Sequence, residues 1–199
     1  MPRSAQPRVT TGLGRSSMRR LAMVAVVGLG GPAVGCEPGS TPRDEHSGDD
    51  ARVALIQPEA WTPLPADEDP WPGHRPSRVD CPDHAWGPEA GTFEVETGTC
   101  NYASFVQPLE HGIEPGDRLS LTVHHLQLWA PEPASAHLAL TVGGKKVWEA
   151  WPAIPSPEQV IDLEWVSDTR VDATEPVILH LHNHGINSWR LVRFERGDR

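Results

Sequence analysis

Apolar and polar residues alternate with a period of two through the second half of the chain, and no 3.6-residue period persists there between capping signals. Thr92-Phe93-Glu94-Val95-Glu96 alternates, as does Arg118-Leu119-Ser120-Leu121-Thr122-Val123 behind the turn Glu114-Pro115-Gly116-Asp117. His137-Leu138-Ala139-Leu140-Thr141-Val142 alternates again, and Gly143-Gly144 then offers a two-residue hairpin loop into Lys145-Lys146-Val147-Trp148. Residues 159–166, 176–182 and 189–195 read as three further strands. About eight short strands divided by proline and glycine predict an all-β domain over 79–197, a two-sheet antiparallel β-sandwich of jelly-roll-like form.

From 36 to 78 the pattern disappears and proline, glycine and acids dominate, a composition that buries too little apolar surface to offset ordering entropy. This stretch reads as a tether, with a root-mean-square reach of roughly 35 Å for forty disordered residues. Val53-Ala54-Leu55-Ile56 and Trp61 are more apolar than a spacer requires, so 53–61 is the part expected to dock on the domain as an extra edge strand.

Residues 1–35 have a different character. Arg19 and Arg20 precede the apolar run Leu21 to Leu29, Gly31-Pro32 breaks it, and Ala33-Val34-Gly35-Cys36 follows. The apolar stretch, about 15 residues, is shorter than the roughly 20 that a spanning helix needs. The arrangement resembles a bacterial lipoprotein export signal, with Met18 as the expected initiator and Ala33 standing where that family's lipobox prefers leucine. The resemblance implies cleavage before Cys36, lipid on its thiol and amino group, and anchorage of an exported protein to the cell membrane or outer membrane. Glu37 is not the aspartate associated with inner-membrane retention, which leans toward the outer membrane.

Removing residues 1–35 takes five of the 17 basic residues and none of the 27 acidic ones, leaving a formal charge near −15. Nucleic acid and bare anionic membrane are therefore excluded as partners, since both require positive charge. Cys81 and Cys100 remain as an even pair in an exported chain, and the expected disulfide closes about 20 residues for roughly 3 kcal/mol.

The chemistry-bearing stretch is Val177-Ile178-Leu179-His180-Leu181-His182-Asn183-His184-Gly185. Alternation sends Val177, Leu179 and Leu181 to the core and His180 and His182 outward; His137 faces outward by the same argument. The phase break after Val123 predicts a bulge at His124-His125. Two histidines at i and i+2, with His137 or His124 as a third, can bind a transition metal such as zinc or copper; without a metal they contact a ligand's hydroxyls or one another. The His-x-His pair resembles that of cupins, but no glutamate follows His182 at the cupin spacing. Of the eight tryptophans, Trp129 and Trp151 lie in proline-rich loops suited to a saccharide-binding rim, whereas Trp148 and Trp165 lie in strands and read as core. Asn183 and Asn187, in a tight polar turn, are ligand-contact candidates alongside a structural role. No Gly-x-Ser-x-Gly, phosphate-binding glycine loop or HExxH occurs, so no catalytic residue is assigned.

The layout over 79–195 also resembles galactose-binding-like jelly rolls, the fold of many carbohydrate-binding modules. That resemblance implies a non-catalytic module for a saccharide or envelope component. The alternatives left standing are a histidine-based metal protein or metalloenzyme, and an assembly lipoprotein that docks a protein partner.

Overall fold

A computed structural model describes residues 52–197. The residues read as an export signal, Met18 and Cys36 among them, lie outside the described residues. In chain order the strands are β1 (Val53–Ala54), β2 (Thr62–Pro63), β3 (Trp86–Glu89), β4 (Thr92–Glu96), β5 (Tyr102–Pro108), β6 (Arg118–His125), β7 (Ala134–Ser135), β8 (His137–Val142), β9 (Lys145–Ala150), β10 (Ala153–Ile154), β11 (Gln159–Val166), β12 (Pro176–His182) and β13 (Ser188–Gly197). All pairings are antiparallel, and single 3-10 turns at Pro58–Ala60, Pro72–His74 and Asp83–Ala85 are the helical content of the described residues.

One sheet has the order β11-β6-β13-β4-β3, with β1 paired to β13, and the other β2-β5-β12-β8-β9. Take β4, β5, β6, β8, β9, β11, β12 and β13 as the eight principal strands. One sheet then holds the first, eighth, third and sixth, and the other holds the second, seventh, fourth and fifth. That is the jelly-roll order.

The turns have local causes. Gly143 and Gly144 have φ of 55° and 75°, as a type I′ hairpin between β8 and β9 requires, and a side chain is disfavoured at both. The core lies between the sheets: Phe93 of β4 meets Phe105 of β5 at 5.0 Å between ring centroids, and Trp61 lies 5.4 Å from Phe93. Burial of each such ring contributes about 1.5–3 kcal/mol. Trp148 is buried with this core and Trp165 half-buried against it.

The alternation of β6 runs unbroken to His125, which packs inward in phase with Leu121 and Val123, so the bulge expected at His124-His125 is absent. The strand simply ends there, because His125 Nδ1 closes on the Leu126 carbonyl at 2.8 Å. The irregularity sits in β13 between Leu191 and Arg193, where one extra residue lets Trp189, Leu191 and Phe194 all turn inward.

Residues 53–78, which composition assigns to the tether, are placed against the sandwich. Val53–Ala54 extends one sheet and Thr62–Pro63 the other, with Leu55, Ile56 and Trp61 buried between. The chain then passes over the outer face of the β12 sheet and reaches Cys81, which is bridged to Cys100.

Candidate functional site

Register gathers the histidines. On β12, Leu179 and Leu181 point to the core, while His180 and His182 take the outer face. His182 pairs with His137 of β8 and Tyr102 of β5, and His180 pairs with Ala139 and Ser104 on the same two strands. His137, His180 and His182 therefore share one patch.

That patch is roofed. The Pro72–His74 turn sets the His74 ring 4.7 Å from His137, 5.1 Å from His180 and 5.1 Å from His182. Trp71 stacks on His180 at 4.5 Å, and Trp151 stacks on His137 at 3.8 Å with a 9° tilt. As a result His180 and His137, on the solvent side of the sheet, are 0% and 1% exposed.

Asp69 fastens this strap. Its buried carboxylate accepts from the Tyr102 hydroxyl at 2.5 Å, the Trp71 N–H at 3.0 Å, Arg75 at 3.1 Å and Ser104 Oγ at 3.3 Å. Burial would raise the Asp69 pKa, but the bonds from Tyr102, Trp71 and Arg75 outweigh it and hold the carboxyl below its ordinary value. The Tyr102 pKa is raised, by burial and by that same carboxylate.

The protons can be assigned from these bonds. Ser104 gives its hydroxyl proton to Asp69, so His180 Nδ1, 3.0 Å from Ser104 Oγ, must carry the hydrogen between them. His180 Nε2 is then a bare lone pair, buried and without a hydrogen-bond partner. Leaving such an atom unsatisfied costs about 1–3 kcal/mol. The ionised Glu149, held by Lys146, only accepts, so His137 Nε2 at 3.0 Å donates to it and His137 Nδ1 keeps a lone pair. That lone pair faces His74 Nε2 at 3.0 Å, and His74 Nδ1 faces His182 Nδ1 at 3.3 Å.

Burial and the neighbouring imidazoles disfavour the charged form of His137, His180 and His182. Burial, then repulsion from His137 and His74, pushes His180 down to about 3. Burial, then His184 and His74, pushes His182 down to about 4. Burial also lowers His137, against the opposing pull of Glu149. Ser104, His180 and Asp69 are no hydrolase triad, because Asp69 contacts the serine rather than the imidazole and the serine is buried.

The ligating nitrogens of His74, His137 and His180 all lie within 4.8 Å of one another. His182 joins the cluster through His74, and His124 lies on β6 in the other sheet, bonded to Glu158 at 2.9 Å. A cavity of about 270 Å³ between Arg52, Arg118, Glu164 and Trp165 borders the other sheet and holds none of these imidazoles.

Two exposed indoles lie on loops that border the cluster. Trp151 is 58% exposed and Trp129 51% exposed, and Trp129 is bridged to Ile186, itself 64% exposed. The His184 ring lies 4.7 Å from that of His182, linking the rim to the roofed patch. Asn183 and Asn187 are buried within the loop rather than displayed on it. Asn183 donates to Thr97 Oγ1 at 2.8 Å, and Asn187 Oδ1 accepts from the Trp129 N–H at 2.6 Å. Gly185, with φ of 104°, lets this loop pass the Trp129 carbonyl, which any Cβ would strike.

His74, Trp71 and Asp69 are the site residues that sequence reasoning missed. The one signal for them was tryptophan, at 61 and again at 71, within a stretch otherwise composed like a spacer.

No protein-family model matches the chain, and no curated protein matches it. Solved structures that it resembles include a CBM4 structure, at 13% identity over 75% of this chain and 96% of that one, TM-score 0.41. The K3 cleaved adhesin domain of Lys-gingipain from Porphyromonas gingivalis is 14% identical over 74% of this chain and 100% of that one, TM-score 0.43. CBM51 from Clostridium perfringens GH95, solved with methyl-galactose, is 11% identical over 73% of this chain and 99% of that one, TM-score 0.36.

Proposed function

We propose that this chain is an exported, lipid-anchored binding module that takes a saccharide or cell-envelope component at the rim formed by Trp129 and Trp151. The observation that carries the reading is the exposure of those two indoles, 51% and 58%, with Trp151 stacked on His137 and Trp129 bridged to the loop that carries His184. Flat apolar rings stack on the CH faces of a sugar while neighbouring polar groups take its hydroxyls. The Cys81–Cys100 bridge supports an oxidising compartment. The run Ala33-Val34-Gly35-Cys36 behind Arg19-Arg20 supports the anchor.

The test is a glycan array followed by calorimetry on the full chain in mild detergent. Binding that weakens by about 2 kcal/mol, roughly 30-fold, in Trp151→Ala or Trp129→Ala supports the reading. Absence of any saccharide hit, or a hit indifferent to both substitutions, overturns it.

A further inference from the structure

We propose that His74, His137 and His180 form a binding site for a late first-row transition-metal ion of the zinc and copper class, with His182 supporting it from outside the ligand set. The proposal is independent of the saccharide reading, which rests on the rim.

Three observations converge. The first is donor chemistry. His74, His137 and His180 each offer an imidazole nitrogen, the donor such ions prefer, and these three atoms all lie within 4.8 Å of one another. Ligands about 2.0–2.1 Å from a common ion sit about 3.3–3.6 Å apart. The His74–His137 spacing of 3.0 Å opens by a few tenths of an ångström, and the remaining pairs contract by at most about 1.5 Å. His74 can supply its share, because it rides on a single 3-10 turn rather than on a strand, and side-chain rotation supplies the share of the His137–His180 pair.

The second is the buried lone pair. His180 Nε2 is fully enclosed, lacks any hydrogen-bond partner and belongs to the trio. Such an orphaned acceptor calls for an explanation, and a metal ion satisfies it where an apolar neighbour cannot. Trp71 and Trp151 wall the trio with rings.

The third is the ring of outer partners. Histidines that ligate a metal hand their second N–H to an acceptor that fixes tautomer and orientation. Here His137 Nε2–H goes to Glu149, and His180 Nδ1–H goes to Ser104, whose own proton goes to Asp69. The third imidazole completes the set through His182. Without metal, His74 Nε2–H donates to His137 and His182 Nδ1–H donates to His74. With metal, the His74–His137 bond gives way to coordination by both nitrogens and the other bond of His74 reverses, so that His74 Nδ1–H donates to His182 Nδ1, whose own proton moves to its Nε2. The His-x-His pair thus divides, with His180 as ligand and His182 as its neighbour's acceptor. One of the three ligands comes from the strap and two from the sheet, so the ion ties residues 69–75 to β8 and β12.

The experiment uses the full chain without a polyhistidine tag, stripped with chelator and titrated with zinc(II), and in a parallel series with cobalt(II) read by its visible bands. The proposal expects one equivalent bound with a dissociation constant at or below micromolar, and a melting temperature that rises with added zinc. His74→Ala, on the strap and outside the core, should weaken binding at least 100-fold, and Glu149→Gln or His182→Ala about 10-fold. His124→Ala, in the other sheet, should bind as the parent does. Absence of stoichiometric zinc and cobalt binding overturns the site, and so does binding that is undiminished in His74→Ala. His180→Gln serves as a second ligand variant once its far-UV spectrum matches the parent's.

Discussion

Replacing Asp69 with alanine should release the strap while leaving the sandwich folded. The side chain is 1% exposed and accepts four hydrogen bonds, two of them from the buried Tyr102 and Ser104 hydroxyls. Arg75 loses an ion pair, but its side chain is 31% exposed and rehydrates, so its share is small. Ser104 retains His180, whereas the bond from the Tyr102 hydroxyl to the Trp71 carbonyl goes with the strap. Two buried bonds to a charged acceptor, at about 1.5–3 kcal/mol each, put the loss near 3–6 kcal/mol. For a domain of this size that lowers the melting temperature by about 6–24 °C. Urea unfolding read by tryptophan fluorescence gives the free energy, and amide exchange over residues 66–78 shows whether the strap has lifted. Asp69→Asn, which keeps one acceptor oxygen, should fall between. A loss under about 1 kcal/mol with unchanged exchange in 66–78 would refute the idea that this carboxylate holds the roof over the histidines.

Further expectations concern other parts of the molecule. Glu94 is buried and bonded to Ser188 and to Arg190, the latter at 3.0 Å; burial would raise its pKa, but these bonds bring it below the ordinary value. A folded pKa below the unfolded one gives stability that is full above about pH 4.3 and is lost as pH falls through the folded value, so the urea midpoint should drop as pH falls below about 4.3 and drop less in Glu94→Gln. Reducing Cys81–Cys100, which encloses a 19-residue separation, should cost about 3 kcal/mol in calorimetry; a melting temperature indifferent to reductant would contradict this. Cys36→Ser should abolish palmitate labelling and shift the protein from the detergent phase to the aqueous one, and persistent labelling would exclude the lipidation reading.

Much of the sandwich was legible because one face of most strands is apolar. Strands at 92–96, 137–142, 159–166 and 176–182 coincide with β4, β8, β11 and β12. β5 was not legible, since Thr97 to Tyr102 reads as a polar turn. Both its faces are buried, with Ser104 and Gln107 satisfied by Asp69 and by the Gln57 backbone, so the alternation of Ala103 and Phe105 is blurred by buried polar residues. At the site, alternation gave the direction of His137, His180 and His182, but not their enclosure. Their cover comes from residues 69–75, whose prolines and acids carry no periodic signal. Asp69 is there a buried acceptor and the prolines set a turn, so the composition that reads as a spacer builds a roof. His74 and the Trp71 stack are contacts between residues over 60 apart in sequence, which a local pattern does not register.

The central claim, that the loop rim beside the histidine cluster is the working surface, is tested most directly by the indole N–H resonances of the eight tryptophans. Titration with the saccharide selected on the array should shift the Trp129 and Trp151 signals and leave those of the buried Trp61 and Trp189 in place. Movement of neither Trp129 nor Trp151, while binding is seen by calorimetry, would place the ligand elsewhere and contradict the account.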